Sequence, residues 1–234
     1  MNIYADRGNL LVLERRCAWR GIDFELSSSG LGEELDGEAH ELFYIGGGQD
    51  RDQRLCAEDL IENKRAGLKR AADRDAVVLG VCGGYQLLGH SYILGGEEIE
   101  GVGLLDVTTV REVGPRLIGN VAIEVSLGDG YGAPHTEVLA GFENHGGRTH
   151  LAGGQAALGR VLAGRGNDGH SRLEGARSHN TIGTYLHGPL LPKNVWFADW
   201  LIARALGPQA PPLAPLDDRL EQQTHLSARR AAGV

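Results

Sequence analysis

One cysteine of this sequence lies in the context of a catalytic nucleophile. Cys82 follows a continuous apolar run over residues 76–81, which is typical of a buried central strand, and precedes a helix pattern that begins at Gly84. The flanking glycines allow the strained turn of a nucleophile elbow, with cysteine in the usual serine position. A helix amino terminus stabilises a thiolate, and the residue after the nucleophile, Gly83, turns its N–H towards the oxyanion. We therefore expect Cys82 to be a nucleophile; the alternative is a buried cysteine on a strand–helix loop.

A nucleophilic cysteine needs a group that carries its proton, and His187 is the candidate. It stands in the segment GTYLHGP at the end of a predicted strand. From the residue type alone, a surface or capping histidine is the more common case. His187 comes 105 positions after Cys82 (187 minus 82), so only the fold can bring the two side chains together.

Three consecutive glycines, residues 46–48, follow another predicted strand. Such a segment either lets the backbone approach a ligand closely or is simply a flexible turn. A phosphate-binding loop would need a lysine followed by serine or threonine, and the sequence has none after these glycines. The sequence also contains no dinucleotide-binding fingerprint and no Cys/His pair at zinc-ligand spacing. Together with the missing Walker loop, this predicts that the chain carries no cofactor.

Composition excludes several classes of protein. The 234 residues are 41% apolar and 23% charged, which is ordinary for a globular protein, and the net charge of −8 argues against nucleic-acid binding. No apolar stretch approaches the ~20 residues of a membrane span, and the amino terminus lacks a basic-then-apolar signal. We expect no membrane insertion and a cytoplasmic location. The other cysteines, Cys17 and Cys56, lie on helix patterns and are expected to pack.

The elements that must position these residues alternate in the first half of the chain. The hydrophobic pattern predicts strands at residues 2–5, 23–27, 41–45 and 76–81, and helices at about 9–19, 52–72 and from 84 to 89. Alternation of this kind predicts an α/β fold, doubly wound, with a mostly parallel central sheet and flanking helices.

The second half changes to short strand patterns between glycine-rich turns. The predicted strands are at residues 102–110, 117–125, 159–162 and 181–186, and a helix follows at about 194–205. The segment 207–218 contains four prolines and cannot continue that helix. We therefore divide the chain into a domain at 1–206 and an extension at 207–234, made of a proline-rich linker and a polar tail that is either irregular or helical.

Several segments together resemble a known family. The string VVLGVCGGYQLLG with GGGQDRDQ upstream and GTYLHGPLLPKN downstream is similar to the class I, triad-type glutamine amidotransferases of the cobyric acid synthase branch. The segments YADRGNL, RLIGN and GFENHGGRT resemble, within this branch, the glutaminase subunits of lipid II isoglutaminyl synthases. The resemblance spans about residues 1–206.

The resemblance implies a glutaminase. Cys82 would attack the γ-carboxamide of L-glutamine and form a thioester that water hydrolyses, while His187 would move the proton to the departing ammonia. An arginine in the RLIGN segment would hold the α-carboxylate of glutamine. The family's site residues then map to an oxyanion hole at Gly47, Gly48 and Gly83, with Gln49 beside it, and to substrate-binding residues Arg116 and Gln86.

One position departs from the wider superfamily. There, a glutamate two residues after the histidine commonly orients its ring, and this sequence has Pro189 instead. Either the site is a Cys–His dyad or the orienting group lies elsewhere. Glu143 and Glu174 are the nearest carboxylates in the family's motifs, and we expect both to be structural. The neighbours of Glu143 in GFENHGG either face the pocket or brace a turn.

The resemblance also implies a partner. ATP and magnesium are expected on a Mur-ligase-like synthetase subunit, MurT, which would form a heterodimer with this chain and amidate the D-glutamate of the lipid II stem peptide to D-isoglutamine. Three alternatives remain open: a glutaminase of the cobyric acid synthase type for cobalamin biosynthesis, a cysteine hydrolase of the same superfold, and a binding subunit whose Cys82 is inert.

Overall fold

The structure, a computed structural model, describes residues 6–48, 50–128 and 135–234, with side chains from 7–48, 54–128 and 136–234. The predicted strand at 2–5 and Gln49 lie outside the described residues. The first half contains α1 Asp6–Ala18, β1 Leu42–Ile45, α2 Asp50–Asp59, a π-helical turn Leu60–Lys64, α3 Arg65–Asp73, β2 Val77–Val81, α4 Gly83–Leu88, β3 Ser91–Leu94, β4 Glu97–Glu100 and β5 Val107–Arg111.

The second half is rich in strands, as predicted. It contains β6 Leu117–Leu127, β7 His135–His145, β8 Gly147–Leu151, β9 Gly159–Ala163, β10 Leu173–Glu174, β11 Ala176–Ser178, β12 Thr181–Thr184, α5 Leu190–Lys193, α6 Val195–Leu206 and α7 Arg219–Ala232. Within the described ranges, no helix is both long enough and apolar enough to span a bilayer.

The central sheet has the strand order β1-β2-β12-β11. β2 pairs in parallel with β1 and with β12, and only the edge strand β11 is antiparallel. All five residues of β2 are buried because one hydrophobic core, with residues of α1 and α6, covers one face and a second core, with residues of α3 and α4, covers the other. The predicted doubly wound, mostly parallel sheet is confirmed.

Two further sheets flank this centre in the described part of the chain. One is an antiparallel sheet of order β10-β9-β6-β7, in which β6 and β7 pair over eleven residues. The other, of order β4-β3-β5-β8, contains one parallel pair, β3 with β5. The long β6–β7 pair carries the segments RLIGN and GFENHGG, so their register decides which residues of these segments meet.

Two predicted elements of the first half are wrong in detail. Residues 23–27 form no strand. Phe24 and Leu26 are 36% and 60% exposed, so the apolar side chains of this alternating pattern do not pack into a core as those of a strand would. The predicted helix at 52–72 is interrupted by the π-helical turn, where the buried Lys64 ammonium donates to the carbonyls of Gly30 and Glu33 at 2.9 and 3.1 Å. The spacing of apolar residues predicts a helix here but does not indicate that a buried lysine makes these hydrogen bonds.

The carboxyl-terminal extension is tied to the domain by a buried arginine. Arg16 on α1 is 1% exposed and donates to both carboxylate oxygens of Asp199 at 2.5 and 2.6 Å and of Asp218 at 2.7 and 2.8 Å. Asp218 immediately precedes α7, which packs against β6, β7 and α5. The polar tail is therefore helical, and this arginine fixes where its helix begins.

Candidate active site

Cys82 sits at a strained junction between β2 and α4. Its φ and ψ are 55° and −108°, a backbone conformation that residues with a side chain seldom adopt. Two hydrogen bonds hold it there: its N–H donates to the Thr184 carbonyl on β12 at 2.8 Å, and its carbonyl accepts from the N–H of Gln86 at 3.2 Å. The strand–turn–helix predicted around this cysteine is confirmed.

The glycines around Cys82 are required by close packing. A Cβ on Gly84 would lie 2.1 Å from the Ile45 carbonyl oxygen, and a Cβ on Gly80 would lie 2.6 Å from Leu88 Cδ1. α4 therefore approaches β1 and β2 more closely than any other residue type would permit. This packing forces the sharp turn and leaves the Cys82 side chain half-buried at the carboxyl edge of the sheet.

His187 reaches the same edge of the sheet from β12. The register pairs Thr184 with Val81, so the residues that follow the two parallel strands emerge side by side. β7 then holds His187: its N–H donates to the Phe142 carbonyl at 2.9 Å, and its carbonyl accepts from the Phe142 N–H at 3.0 Å. The Phe142 ring meets the imidazole edge-to-face at 6.0 Å. The fold thus brings the segments that carry Cys82 and His187 to the same edge of the sheet, and the roles of both residues stay predictions.

The glycine-rich segment after β1 lies against the cysteine. β1 pairs with β2 in the register Ile45 to Gly80, and a Cβ on Gly47 would lie 3.5 Å from Cys82 Cβ. Gly48 follows it, and Gly83, the residue after Cys82, opens α4. The role of these three glycines in an oxyanion hole remains a prediction.

Arg116 is also brought to the site. Its Nε donates to Asn144 Oδ1 and its Nη2 to the Asn144 carbonyl, both at 2.8 Å, because β6 and β7 pair Leu117 with His145. The guanidinium is close enough to His187 to lower the pKa of that imidazole. Asn144 therefore fixes the orientation of Arg116, a role that sequence analysis missed because it depends on the strand register.

Gln86 faces the interior of the protein behind the site. It is 5% exposed, and its Nε2 donates to the Tyr185 hydroxyl at 3.1 Å. That hydroxyl also bonds Thr149 Oγ1 at 2.6 Å, which in turn bonds Thr109 Oγ1 at 2.7 Å. Cys82 contributes to raising the pKa of the buried Tyr185, which places the thiol near this network. The substrate-binding role of Gln86 stays a prediction; its visible contact is with Tyr185.

The surroundings of His187 keep its ring neutral. Burial, followed by the nearby side chains of His145, Lys193 and Arg116, lowers the pKa of His187 to about 4, and Glu143 opposes this shift. At neutral pH the imidazole therefore has a free lone pair with which to accept a proton. Sequence analysis did not identify Lys193, although it lies in the recognised segment GPLLPKN.

The two carboxylates singled out in the sequence are both buried beside the site. Glu143 accepts hydrogen bonds from the N–H groups of Arg165 and Gly166 at 2.7 and 2.9 Å, and so braces a turn. Glu174 accepts from the Tyr185 N–H at 2.7 Å and fixes the backbone two residues before His187. Burial raises the pKa of Glu174 to about 8. Among the described side chains, no group of three or more His, Cys, Asp or Glu is arranged to hold a metal ion.

The α/β architecture, with a cysteine turn at the carboxyl edge of the central sheet, is consistent with the class I glutamine amidotransferase fold. Among solved structures, the chain is similar to PurLQS from Thermotoga maritima, with a TM-score of 0.56 and 20% identity over 95% of this chain and 92% of that chain. Residues 1–195 match the model of the CobB/CobQ-like glutamine amidotransferase domain. The chain belongs to this family, and it is an enzyme subunit of the glutamine amidotransferase class.

Two relatives share most of their length with this chain. Both are described as "Lipid II isoglutaminyl synthase (glutamine-hydrolyzing) subunit GatD". The Staphylococcus aureus protein is 38% identical over 226 residues, which are 95% of this chain and 88% of the relative. The Streptococcus pneumoniae protein is 36% identical over 207 residues, which are 88% of this chain and 76% of the relative.

Proposed function

We propose that this chain is the glutaminase subunit of a cytoplasmic lipid II isoglutaminyl synthase. It hydrolyses L-glutamine and delivers the ammonia to a Mur-ligase-like, ATP-dependent subunit in a heterodimer. That partner amidates the D-glutamate of the lipid II stem peptide to D-isoglutamine, a step of peptidoglycan biosynthesis. The similarity to two subunits of such synthases, over nearly the whole of this chain, supports the substrate and the need for a partner.

The observation that supports the chemistry is Cys82 in its strained turn, with His187 in the segment that follows the adjacent parallel strand. The Cys82 sulfur attacks the γ-carboxamide carbon of glutamine as His187 accepts the thiol proton. The C–N bond then breaks, the proton leaves with ammonia, and a γ-glutamyl thioester remains. Water attacks the thioester with His187 again as base, which releases glutamate and restores the thiol.

Binding and charge stabilisation follow from the neighbouring groups. The Arg116 guanidinium, oriented by Asn144, is suited to the α-carboxylate of glutamine. The backbone N–H groups of Gly83 and of Gly47 or Gly48 stabilise the oxyanion of each tetrahedral intermediate. This chain supplies no ATP chemistry in the proposal, so ATP and magnesium act on the partner.

A pair of cysteine variants tests the glutaminase step. Cys82→Ala abolishes glutamine hydrolysis and labelling by a glutamine-analogue electrophile, because it removes the attacking atom. Cys56→Ala is the matched control: Cys56 is also a half-buried cysteine, and its loss leaves both properties unchanged. Hydrolysis by the Cys82→Ala variant, or labelling that requires Cys56, would contradict the assignment.

The complex tests the rest of the proposal. Together with a Mur-ligase-like subunit, ATP, lipid II and glutamine, the chain yields D-isoglutamine in the stem peptide. With Cys82→Ala the same mixture is inactive with glutamine and active with ammonium salts, because only the ammonia supply is lost. Failure of the wild-type pair to amidate lipid II, with amidation of a cobalamin precursor instead, would favour the cobyric acid synthase alternative.

A further inference from the structure

The strained turn at Cys82 is held by two backbone hydrogen bonds that reach different parts of the molecule. Its N–H donates to the carbonyl of Thr184 on β12 at 2.8 Å, and its carbonyl accepts from the N–H of Gln86 on α4 at 3.2 Å. A strained backbone conformation persists only where its surroundings fix it. The turn therefore keeps its shape only while β12 and α4 keep their places relative to each other.

A side-chain hydrogen bond joins these two anchors. Tyr185 directly follows Thr184, and its hydroxyl accepts from Gln86 Nε2 at 3.1 Å. Gly147 leaves room for this bond, because a Cβ there would lie 2.5 Å from Gln86 Nε2 and 3.2 Å from the Tyr185 hydroxyl. The contacts close a ring, which runs from the Cys82 N–H to Thr184, through the Tyr185 and Gln86 side chains, and back to the Cys82 carbonyl. A substitution in the side-chain bond opens this ring without altering the backbone bonds themselves.

Tyr185 is held firmly enough to be the fixed point of this ring. It is fully buried, its hydroxyl also bonds Thr149 Oγ1 on β8 at 2.6 Å, and its N–H donates to Glu174 at 2.7 Å. Its aromatic ring stacks on His145 with 3.6 Å between the centroids and 6° between the planes. Strands from both flanking sheets therefore fix the side chain that Gln86 meets.

We propose that Tyr185 is a positioning residue of the nucleophile: through Gln86 it closes a hydrogen-bonded ring that holds Cys82 in its strained turn. Tyr185 lies two positions before His187, so the ring also ties this turn to the segment that carries the proposed base. The inference rests on the proposed glutaminase function. The competing interpretation is that Tyr185 only fills the core in which it is buried.

Tyr185→Phe opens the ring and keeps the aromatic stack. Because the thiol loses its fixed position while Arg116 is untouched, we expect kcat for glutamine hydrolysis to fall about tenfold, with KM changed less than about twofold. Thr109→Val is the control, since it removes a buried hydroxyl that bonds Thr149 Oγ1 at 2.7 Å and leaves the ring closed. We expect its kcat to stay within about twofold of the wild type. An unchanged kcat in Tyr185→Phe, or an equal loss in Thr109→Val, would overturn the proposal.

Hydrogen exchange reports on the turn without any glutamine chemistry. NMR on the full chain compares exchange at the Cys82 N–H with exchange at the N–H of Leu79, which is buried in the central sheet. We expect Tyr185→Phe to accelerate exchange at Cys82 about tenfold relative to Leu79, and Thr109→Val to leave this ratio unchanged. Equal acceleration at both amides would mean that the tyrosine hydroxyl stabilises the core alone, and the proposal would be wrong.

Gln86→Met removes the other partner of the same hydrogen bond and leaves Tyr185 unchanged. If Tyr185→Phe does not fold, the exchange ratio of Gln86→Met decides the question, because it is measured without glutamine and is independent of any contact between Gln86 and substrate. The double variant tests the ring as a unit. We expect its exchange at Cys82 to be accelerated by about tenfold, as in either single variant, whereas independent contributions would multiply to about a hundredfold and contradict the ring.

These outcomes separate the inference from the function on which it rests. If the wild-type chain and its Cys82→Ala variant are equally inactive in glutamine hydrolysis, with and without the synthetase subunit, the proposed function fails, and the exchange ratio still decides whether the ring holds the turn. If the wild type is active and Tyr185→Phe keeps both its kcat and its exchange ratio, the proposed function stands and only the role of Tyr185 is wrong.

Discussion

The buried Glu174 makes the stability of this protein depend on pH in an unusual direction. Burial, with a smaller contribution from the nearby Glu143, raises the pKa of Glu174 from 4.5 to about 8, against the lowering effect of its hydrogen bonds from Tyr185 and Thr184. At neutral pH the folded chain therefore keeps this carboxyl group protonated, while the unfolded chain ionises it. Its contribution to stability is full below pH 4.5 and is lost as pH rises towards 8.

The size of the effect follows from the two pKa values. Between them, each pH unit changes the free energy of unfolding by about 1.4 kcal/mol, so raising the pH from 5 to 7 removes about 3 kcal/mol of stability through this group. Glu174→Gln cannot ionise. Its amide oxygen can accept from the Tyr185 N–H and from the Thr184 hydroxyl, which both donate to Oε1 of Glu174.

Urea unfolding of the wild type and of Glu174→Gln at pH 5, 6 and 7 measures this difference. We expect the difference in unfolding free energy, variant minus wild type, to be about 3 kcal/mol larger at pH 7 than at pH 5. Glu124→Gln, which removes a surface carboxylate paired with Arg160, serves as the control and runs parallel to the wild type. Parallel curves for Glu174→Gln would refute the reasoning, because they would mean that Glu174 has the same protonation in both states.

Three further changes test the candidate site and its frame. His187→Ala lowers kcat for glutamine hydrolysis by at least ~10²-fold, since it removes the proton carrier; a near-normal rate would assign that task to another histidine, such as His145. Arg116→Ala chiefly raises KM in the same assay, and an unchanged KM with lost turnover would place Arg116 elsewhere. Arg16→Leu lowers the free energy of unfolding in urea by about 3 kcal/mol, because Asp218 loses its buried partner and Asp199 keeps only Arg20; a loss below 1 kcal/mol would contradict this.

Local signals were sufficient to predict the centre of the fold. The apolar run before Cys82 becomes the fully buried β2, and the glycines around it become the turn in which Cys82 is strained. The buried strand and the turn are both determined by residues within about ten positions of Cys82, through the burial of apolar side chains and the backbone freedom of glycine. The local sequence is therefore enough to predict them. The parallel sheet follows in turn, because strands that alternate with helices pack in this way.

The rest of the site depends on the register with which distant strands pair, and this register cannot be predicted from short segments of the sequence. Asn144 holds Arg116 only because β6 and β7 pair over eleven residues, and Phe142 holds His187 only through a bridge between β7 and the end of β12. Lys193 lies near His187 through the packing of α5. Contacts between segments so far apart arise from tertiary structure, so residue types and spacing predict the candidates and not their partners.

The two members of the proposed catalytic pair depend on different parts of the molecule. Cys82 is fixed by a local turn and by its backbone bond to β12, whereas His187 is fixed by β7 and by the Glu174 contact that precedes it. The strand-rich half therefore determines the position and basicity of the histidine, and through Thr184 on β12 it supplies one backbone hydrogen bond to the cysteine turn.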